Sequence, residues 1–412
     1  MKSDIDALMQ EAGLDALLIT GSAAHNPPMT YLTGIVHVSH ADLFKKRGQA
    51  AVLVCDPMER EEAARTGLAT HVREPAAWLA LLAQTGGDVV ETQARDYAGL
   101  LDAFDIRGRL GLYGQADIGS AFPVFRRLAE LAPQVEIVAE APMRAVLRRA
   151  RATKDEQEIE RLRAIGKSTV AVVAEVATFL TSHQPRDGVL VNRNGEPLTV
   201  GEVKRRINLW LAMRGAENPE GTIFSLGRDA GVPHSVGAEG DLIRVGTPII
   251  FDIYPCEAGG GYFYDLTRTW CLGYAPDDVA RVYADVLEVY RATTAAIRPE
   301  ALFRDYQRMT CELFEARGHP TVKSNPNTLE GYVHSLGHGV GLDVHETPFS
   351  RDQEDNRDRL LAGSVFTVEP GLYYPDRGLG VRLEDTYWVR PGGGAEIIAE
   401  FPLDLVLKVP GV

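Results

Sequence analysis

The stretch HSLGHGVGLDVHE (334–346) gathers three of the chain's ten histidines, His334, His338 and His345, within twelve residues. Imidazoles so close in sequence suit metal ligation or hydrogen bonding to a substrate. Four carboxylates occupy equally telling positions: Asp252 in TPIIFDIYP, Asp265 in GYFYDLTRTW, Glu369 in SVFTVEPGLYY and Glu384 in GLGVRLEDTYWV. Runs this apolar read as strands buried on both faces. An uncompensated carboxylate there costs on the order of several kcal/mol and takes up a proton instead. Arg382 can neutralise one of them, but nearby basic residues cannot neutralise four. Two divalent cations can: four carboxylates carry −4, the ions +4, and His338 joins as a neutral ligand in a site made mostly of oxygens. Such a pair shares a water or hydroxide as nucleophile at neutral pH and clamps both attacking and leaving groups. The oxygen-rich donor set favours Mn²⁺, with Co²⁺ or Zn²⁺ as alternatives. The small residues of HGVG are expected to let the backbone approach the cluster. His334 and His345 are expected to flank it as hydrogen-bond donors or as supports of its ligands.

These residues need elements to hold them. Residues 1–150 read as an α/β domain, with LDALLIT, QAAVLVCD, GRLGLYG and VEIVAE as short strands between helical stretches. Residues 151–412 read as an α+β domain opened by a long helix. Thr153 and Glu156 offer it a capping box, and Ile159, Leu162, Ile165, Val172, Val176 and Phe179 recur at helical spacing. From there one order of elements occurs twice: a helix, a second helix ending at Arg-Gly, a histidine, then two acidic strands. Gly215 precedes His234 by 19 residues and Gly318 precedes His338 by 20, while the acidic pairs are 13 and 15 apart. An internal repeat whose two halves face a shared site is therefore expected. HNPPMTYLTGIVHVSH, with His25, His37 and His40, reads as an ordinary loop.

A formal net charge of −14 argues against a nucleic-acid backbone or an anionic lipid surface as partner, since both are bound through excess Lys and Arg. Four scattered cysteines, with no CxxC pair, suit a reducing compartment. The N-terminal stretch is acidic where a signal peptide is basic, and no run reaches about 18 consecutive apolar residues, so a cytoplasmic location is expected.

The segments FDIYPCEAGGGYFYDLTRTW, HSLGHGVGLDVHETP, FTVEPGLYY and GVRLEDTYWV resemble the metallopeptidases of the pita-bread fold (family M24), in the branch of proline dipeptidase (prolidase) and aminopeptidase P. The order and spacing of these segments cover residues 154 to about 408. The resemblance implies a creatinase-like N-terminal domain that builds a homodimer, followed by a pita-bread catalytic domain with a pseudo-twofold repeat. It implies that Asp252 chelates one ion, that Asp265 and Glu384 bridge both, and that His338 and Glu369 hold the other. Glu369 is then also the proton shuttle. His234 and His345 match histidines that contact the substrate and stabilise the tetrahedral intermediate. His334 matches a further active-site histidine, Arg382 an arginine beside the bridging carboxylate, and Thr267 a hydroxyl that supports it.

The implied reaction is hydrolysis of an N-terminal Xaa-Pro bond by a dinuclear-metal dipeptidase. Aminopeptidase P action on longer Xaa-Pro peptides, or an amide hydrolase of the creatinase or ectoine-hydrolase type, are the alternatives on the same fold. Two departures from the family pattern stand out. The spacing from Asp252 to Asp265 is two residues longer than usual, the excess lying in CEAGGGYF, and the arginine that binds a dipeptide's terminal carboxylate has no single match among Arg351, Arg357 and Arg359.

Overall fold

A computed structural model describes residues 4–412; Met1 to Ser3 of the acidic N-terminal stretch lie outside it. The chain divides into two compact units, 1–151 with 259–261, and 152–258 with 262–412. The first is built on a six-stranded sheet. Ala16–Gly21 runs parallel to Gly108–Gly114, which runs parallel to Val135–Val138. On its other side Ala16–Gly21 is antiparallel to Ala41–Lys46, followed outward by Val52–Cys55 and Ala69–Val72. Alternation along the central strand feeds two layers: Leu17 and Ile19 join Met9, Leu43 and Leu53, whereas Ala16 and Leu18 join Phe44, Tyr97 and Leu110. The four strands expected here form, and two more appear. The stretch read as a loop around His25 and His40 also carries a helix, Pro27–Thr33, with prolines in its first turn where a missing N–H costs nothing.

The second unit opens with helix Glu156–Thr181. Its capping box lies two residues beyond Thr153 and Glu156: Asp155 accepts from the Glu158 N–H, and Glu158 reaches back to the Asp155 N–H. The backbone of Lys154 is held by Gly363 and its ammonium by Glu346, which sets the first free turn at Asp155. By length and composition this helix could cross a membrane. Here Ile159, Leu162, Ile165, Val172, Val173, Val176 and Leu180 form a buried stripe instead. Phe179 lies beside the stripe, edge-on to Trp210 and under the Arg206 guanidinium. A Cβ on Gly166 would lie 2.8 Å from the Tyr264 ring, so this position has to be glycine.

The order of elements repeats. Helices Glu156–Thr181 and Val200–Ala212 lead to strands Thr222–Leu226, Pro248–Ile253 and Leu266–Leu272; helices Asp277–Ala296 and Phe303–Glu315 lead to His338–Gly339, Val365–Val368 and Asp385–Val389. In each half the middle strand of the three runs antiparallel to both others. The halves meet where Thr267 and Glu384 form an isolated antiparallel bridge. Ring contacts through Phe224, Phe251 and Trp270 cover one sheet, and Phe303, Phe366 and Tyr387 the other.

Candidate metal centre

Asp252 is the only one of the four carboxylates inside a strand, Pro248–Ile253, every residue of which is buried. Asp265 immediately precedes Leu266–Leu272, Glu369 follows Val365–Val368, and Glu384 precedes Asp385–Val389. Strand ends on both sides of the Thr267–Glu384 bridge thus deliver acids to one place. One ligand-type atom each from Asp265, His338 and Glu384 lies within 4.8 Å of the other two. Asp252 and Glu369 line the same cavity, of about 410 Å³, with His234, His334, His345 and Arg382.

The histidines play different parts. His338 Nδ1 is 3.1 Å from the carbonyl of Gly339, which can only accept, so that nitrogen carries the proton. Its Nε2 lone pair then faces Asp265 Oδ2 at 3.7 Å and Glu369 Oε1 at 3.5 Å. A lone pair aimed at two carboxylates is repelled unless a cation lies between them. Burial, reinforced by the ring of His345, lowers the His338 pKa to about 3, so the imidazole stays neutral and ready to ligate. The His345 ring packs 4.2 Å from that of His338, centroid to centroid, with its outer side exposed in the cavity, as is His234. Burial also depresses the His345 pKa, against the pull of Asp252.

His334 is engaged at both nitrogens. Nδ1 donates to the Ser335 carbonyl at 2.8 Å, so Nε2, 2.8 Å from Tyr373 Oη, accepts from that hydroxyl. Tyr373 in turn accepts from Arg382 Nη1 at 2.8 Å. His334 therefore turns its ring toward the cavity with no spare N–H. Arg382 also binds Asp252 Oδ2 at 2.5 Å and the Thr267 hydroxyl at 3.3 Å, while that hydroxyl donates to Glu384 Oε2 at 2.7 Å.

Among the described residues three buried oxygens of this cluster have no hydrogen-bond donor: Asp252 Oδ1, Asp265 Oδ1 and Glu384 Oε1. One orphan acceptor costs about 1–3 kcal/mol, so three converging on one cavity need a common partner. Burial and mutual repulsion push Asp265 and Glu369 well above the usual carboxylate range, and raise Glu384 to about 8. Orphaned carboxylate oxygens, and in Asp265, Glu369 and Glu384 acids that resist ionising, around an imidazole that resists protonation, are what divalent cations relieve. These residues fit such ions.

The glycines of HGVG sit hard against the neighbouring stretch of chain. A Cβ on Gly339 would lie 2.3 Å from the Thr347 carbonyl oxygen, and one on Gly341 2.1 Å from Glu346 Oε1. They permit close strand contact, and only through it place His338. Tyr373, Tyr254 and Glu220 also line or brace the cavity without having been marked by the sequence. For Tyr373 a signal existed. It lies diagonally across the Gly371–Tyr374 and Leu379–Arg382 hairpin from Arg382, on the same face.

A strand scaffold that repeats itself around acids and one neutral imidazole defines a hydrolytic metal site rather than a nucleotide fold. Comparison with known proteins agrees: residues 160–391 match the model of metallopeptidase family M24, and residues 3–153 the Creatinase/Prolidase N-terminal domain. The chain belongs to metallopeptidase family M24 and has the pita-bread fold. It is 30% identical over 286 residues to a probable dipeptidase PepE of Mycobacterium tuberculosis, covering 69% of each chain. It is also 30% identical over 202 residues to an Xaa-Pro dipeptidase of Pyrococcus furiosus, covering 48% of this chain and 52% of that one. The structure of an Xaa-Pro dipeptidase from Bacillus anthracis superposes with a TM-score of 0.75 at 21% identity, covering 98% of both chains.

Proposed function

We propose that this enzyme is an Xaa-Pro dipeptidase with two divalent ions per subunit, Mn²⁺ being favoured by its oxygen-rich donors. The observation that carries this is the unprotonated Nε2 of His338 directed at Asp265 and Glu369 beside three orphaned carboxylate oxygens. Asp252, Asp265, His338, Glu369 and Glu384 would hold the ions. When bound, they neutralise the acids and polarise the scissile carbonyl.

The remaining chemistry belongs to the chain. Glu369 takes a proton from the attacking water and returns it to the departing proline nitrogen, which has no proton of its own while in the peptide bond. His234 and His345, exposed in the cavity, donate N–H groups to the developing oxyanion. Thr267 and Arg382 hold Glu384 and Asp252 in place. Of the three nearby arginines, Arg351 lines the cavity whereas Arg357 and Arg359 do not, so Arg351 is assigned the substrate's terminal carboxylate. Residues 1–150 act as the creatinase-like domain of a cytoplasmic homodimer and 151–412 as the catalytic domain; four buried, unbridged cysteines support a reducing location.

The test is hydrolysis of Ala-Pro and Leu-Pro before and after exhaustive chelation. Activity is expected to vanish and to return with Mn²⁺ or Co²⁺. Turnover that survives complete metal removal, or equal rates on Ala-Pro and Ala-Ala, refutes the assignment.

A further inference from the structure

Five acids line the catalytic cavity, and four of them, Asp252, Asp265, Glu369 and Glu384, belong to the metal cluster. The fifth is Glu220, and among the described residues neither a hydrogen-bond donor nor a cation engages it. Burial, then the Asp343 carboxylate, pushes its pKa up. A carboxylate in that setting is stabilised by a cation that enters the cavity from outside.

Glu220 is held in place by the backbone. Asn218 to Gly221 form a tight turn, closed by the Gly221 N–H donating to the Asn218 carbonyl at 3.2 Å. Pro219 presets its first corner, and Gly221 supplies a φ of +81°. The Asn218 amide donates to Thr222 Oγ1 at 2.8 Å and to Asn208 Oδ1 at 3.0 Å. The turn leads into strand Thr222–Leu226, where Ile223 pairs with Asp252.

Strand order decides which end of a substrate meets this turn. Outward from the Thr267–Glu384 bridge through the ligand-bearing strands, one half-sheet ends at Thr222–Leu226 and the other at Glu346–Phe349. Glu220 stands just before the first of these outer strands and Arg351 just after the second. Among the described residues, the two charged groups of the cavity outside the cluster therefore flank it from opposite edges. A dipeptide whose carboxylate meets Arg351 extends its first residue toward Glu220. The α-amino group shares a carbon with the scissile carbonyl and stays near the metal ligands. Glu220, exposed at the rim, is within reach of a long side chain instead. Ile223 and Tyr254 line the cavity on the same side and suit the aliphatic stem of such a side chain, leaving its head free to reach the carboxylate.

We propose that Glu220 is a specificity-determining residue that selects a cationic first residue, placing Arg-Pro and Lys-Pro above neutral Xaa-Pro dipeptides. This inference rests on the Xaa-Pro reading above.

The experiment measures kcat/KM for Arg-Pro and for citrulline-Pro, its uncharged isostere, with Lys-Pro and Glu-Pro alongside, on metal-loaded wild type, Glu220→Gln and Glu220→Lys. Calorimetry of Arg-Pro and citrulline-Pro binding to metal-free protein gives a readout independent of turnover. Wild type is expected to favour Arg-Pro over citrulline-Pro about tenfold in both measurements. Glu220→Gln should bring both ratios to within about twofold of unity, and Glu220→Lys should raise Glu-Pro above Lys-Pro. A wild-type ratio already within about twofold of unity, or one that Glu220→Gln leaves unchanged while all rates fall alike, overturns the selection and leaves the dipeptidase intact. Failure to cleave any Xaa-Pro dipeptide overturns the underlying reading instead, and the metal-free binding ratio then still decides the role of Glu220.

Discussion

Thr267 and Glu384 hold each other twice across the seam between the two half-sheets. The Glu384 N–H donates to the Thr267 carbonyl at 3.1 Å, and the Thr267 hydroxyl donates to Glu384 Oε2 at 2.7 Å. The side-chain bond occupies one carboxylate oxygen and leaves Oε1 for the cluster, so a backbone seam and a ligand's orientation are one feature. Thr267→Val keeps the shape and the strand and removes the hydroxyl. It should weaken metal binding about 10- to 100-fold, the usual effect of losing a group that orients a ligand. Thr267→Ser should recover most of it. Titration of metal-free protein followed by calorimetry decides, and a Thr267→Val affinity within twofold of wild type counts against the orienting role.

The Tyr373 hydroxyl accepts from Arg382 and donates to His334, joining the Asp252 side of the cavity to the histidine side. Tyr373→Phe leaves Arg382 its bonds to Asp252 and to the Pro233 carbonyl, but strips His334 Nε2 of its donor. The buried, unsatisfied nitrogen should cost about 1–3 kcal/mol of stability. The freed Nε2, still an acceptor because Nδ1 keeps its proton on the Ser335 carbonyl, should also draw a donor from substrate or water into the cavity, lowering kcat more than it raises KM. Urea unfolding and steady-state kinetics on Ala-Pro check both parts; unchanged stability with unchanged kcat contradicts the chain of bonds.

How far such features were legible depended on whether their chemistry contradicted their neighbourhood. Asp252 between Phe251 and Ile253, or Glu384 after Leu383, is visible because a charge among greasy residues has to be explained. Tyr373 in GLYY looks like any strand tyrosine, and only hairpin register puts it beside Arg382. The strand Ala41–Lys46 went unread for the opposite reason: Asp42 and Lys45 make it look solvated, yet both are about 1% exposed. Asp42 binds Arg73 and the Tyr97 hydroxyl, and Lys45 binds Asp6, partners that sequence spacing does not reveal. The helix cap was displaced in the same way, because Lys154 was already committed to Glu346.

Acidity should act through His334. Burial, then the nearby Arg382 charge, lowers its pKa to about 3 from an ordinary 6.5. Between those values the unfolded chain binds a proton that the folded chain refuses. The stability His334 contributes is therefore complete above pH 6.5 and is lost as pH falls through that window, by up to about 1.4 kcal/mol per pH unit. His334→Gln removes this proton uptake. The difference in unfolding free energy between wild type and His334→Gln should shift against wild type from pH 6.5 to pH 4.5, measured by urea titration of metal-free protein. A difference that stays constant with pH shows that the folded imidazole titrates normally.

Lys154 Nζ and Glu346 Oε1 lie 2.5 Å apart, each about 1% exposed, and tie the start of the long helix to the residue after His345. A pair this dry is worth little against an apolar pair of the same shape, but each charge is costly without the other. Lys154→Met and Glu346→Gln should each destabilise the second unit by about 3–5 kcal/mol, whereas the double variant should lose at least about 2 kcal/mol less than the sum of the two. Gln is the right replacement for Glu346, because its carboxylate packs where a Cβ on Gly341 would come within 2.1 Å of Oε1, leaving no room for a branched side chain. Because His345 adjoins Glu346 and its ring packs on that of His338, the single variants should also lose kcat on Ala-Pro, and the double should regain part of it. Single-variant effects that add to within about 0.5 kcal/mol would show the two residues acting independently, with no coupling between the helix start and the His345 segment.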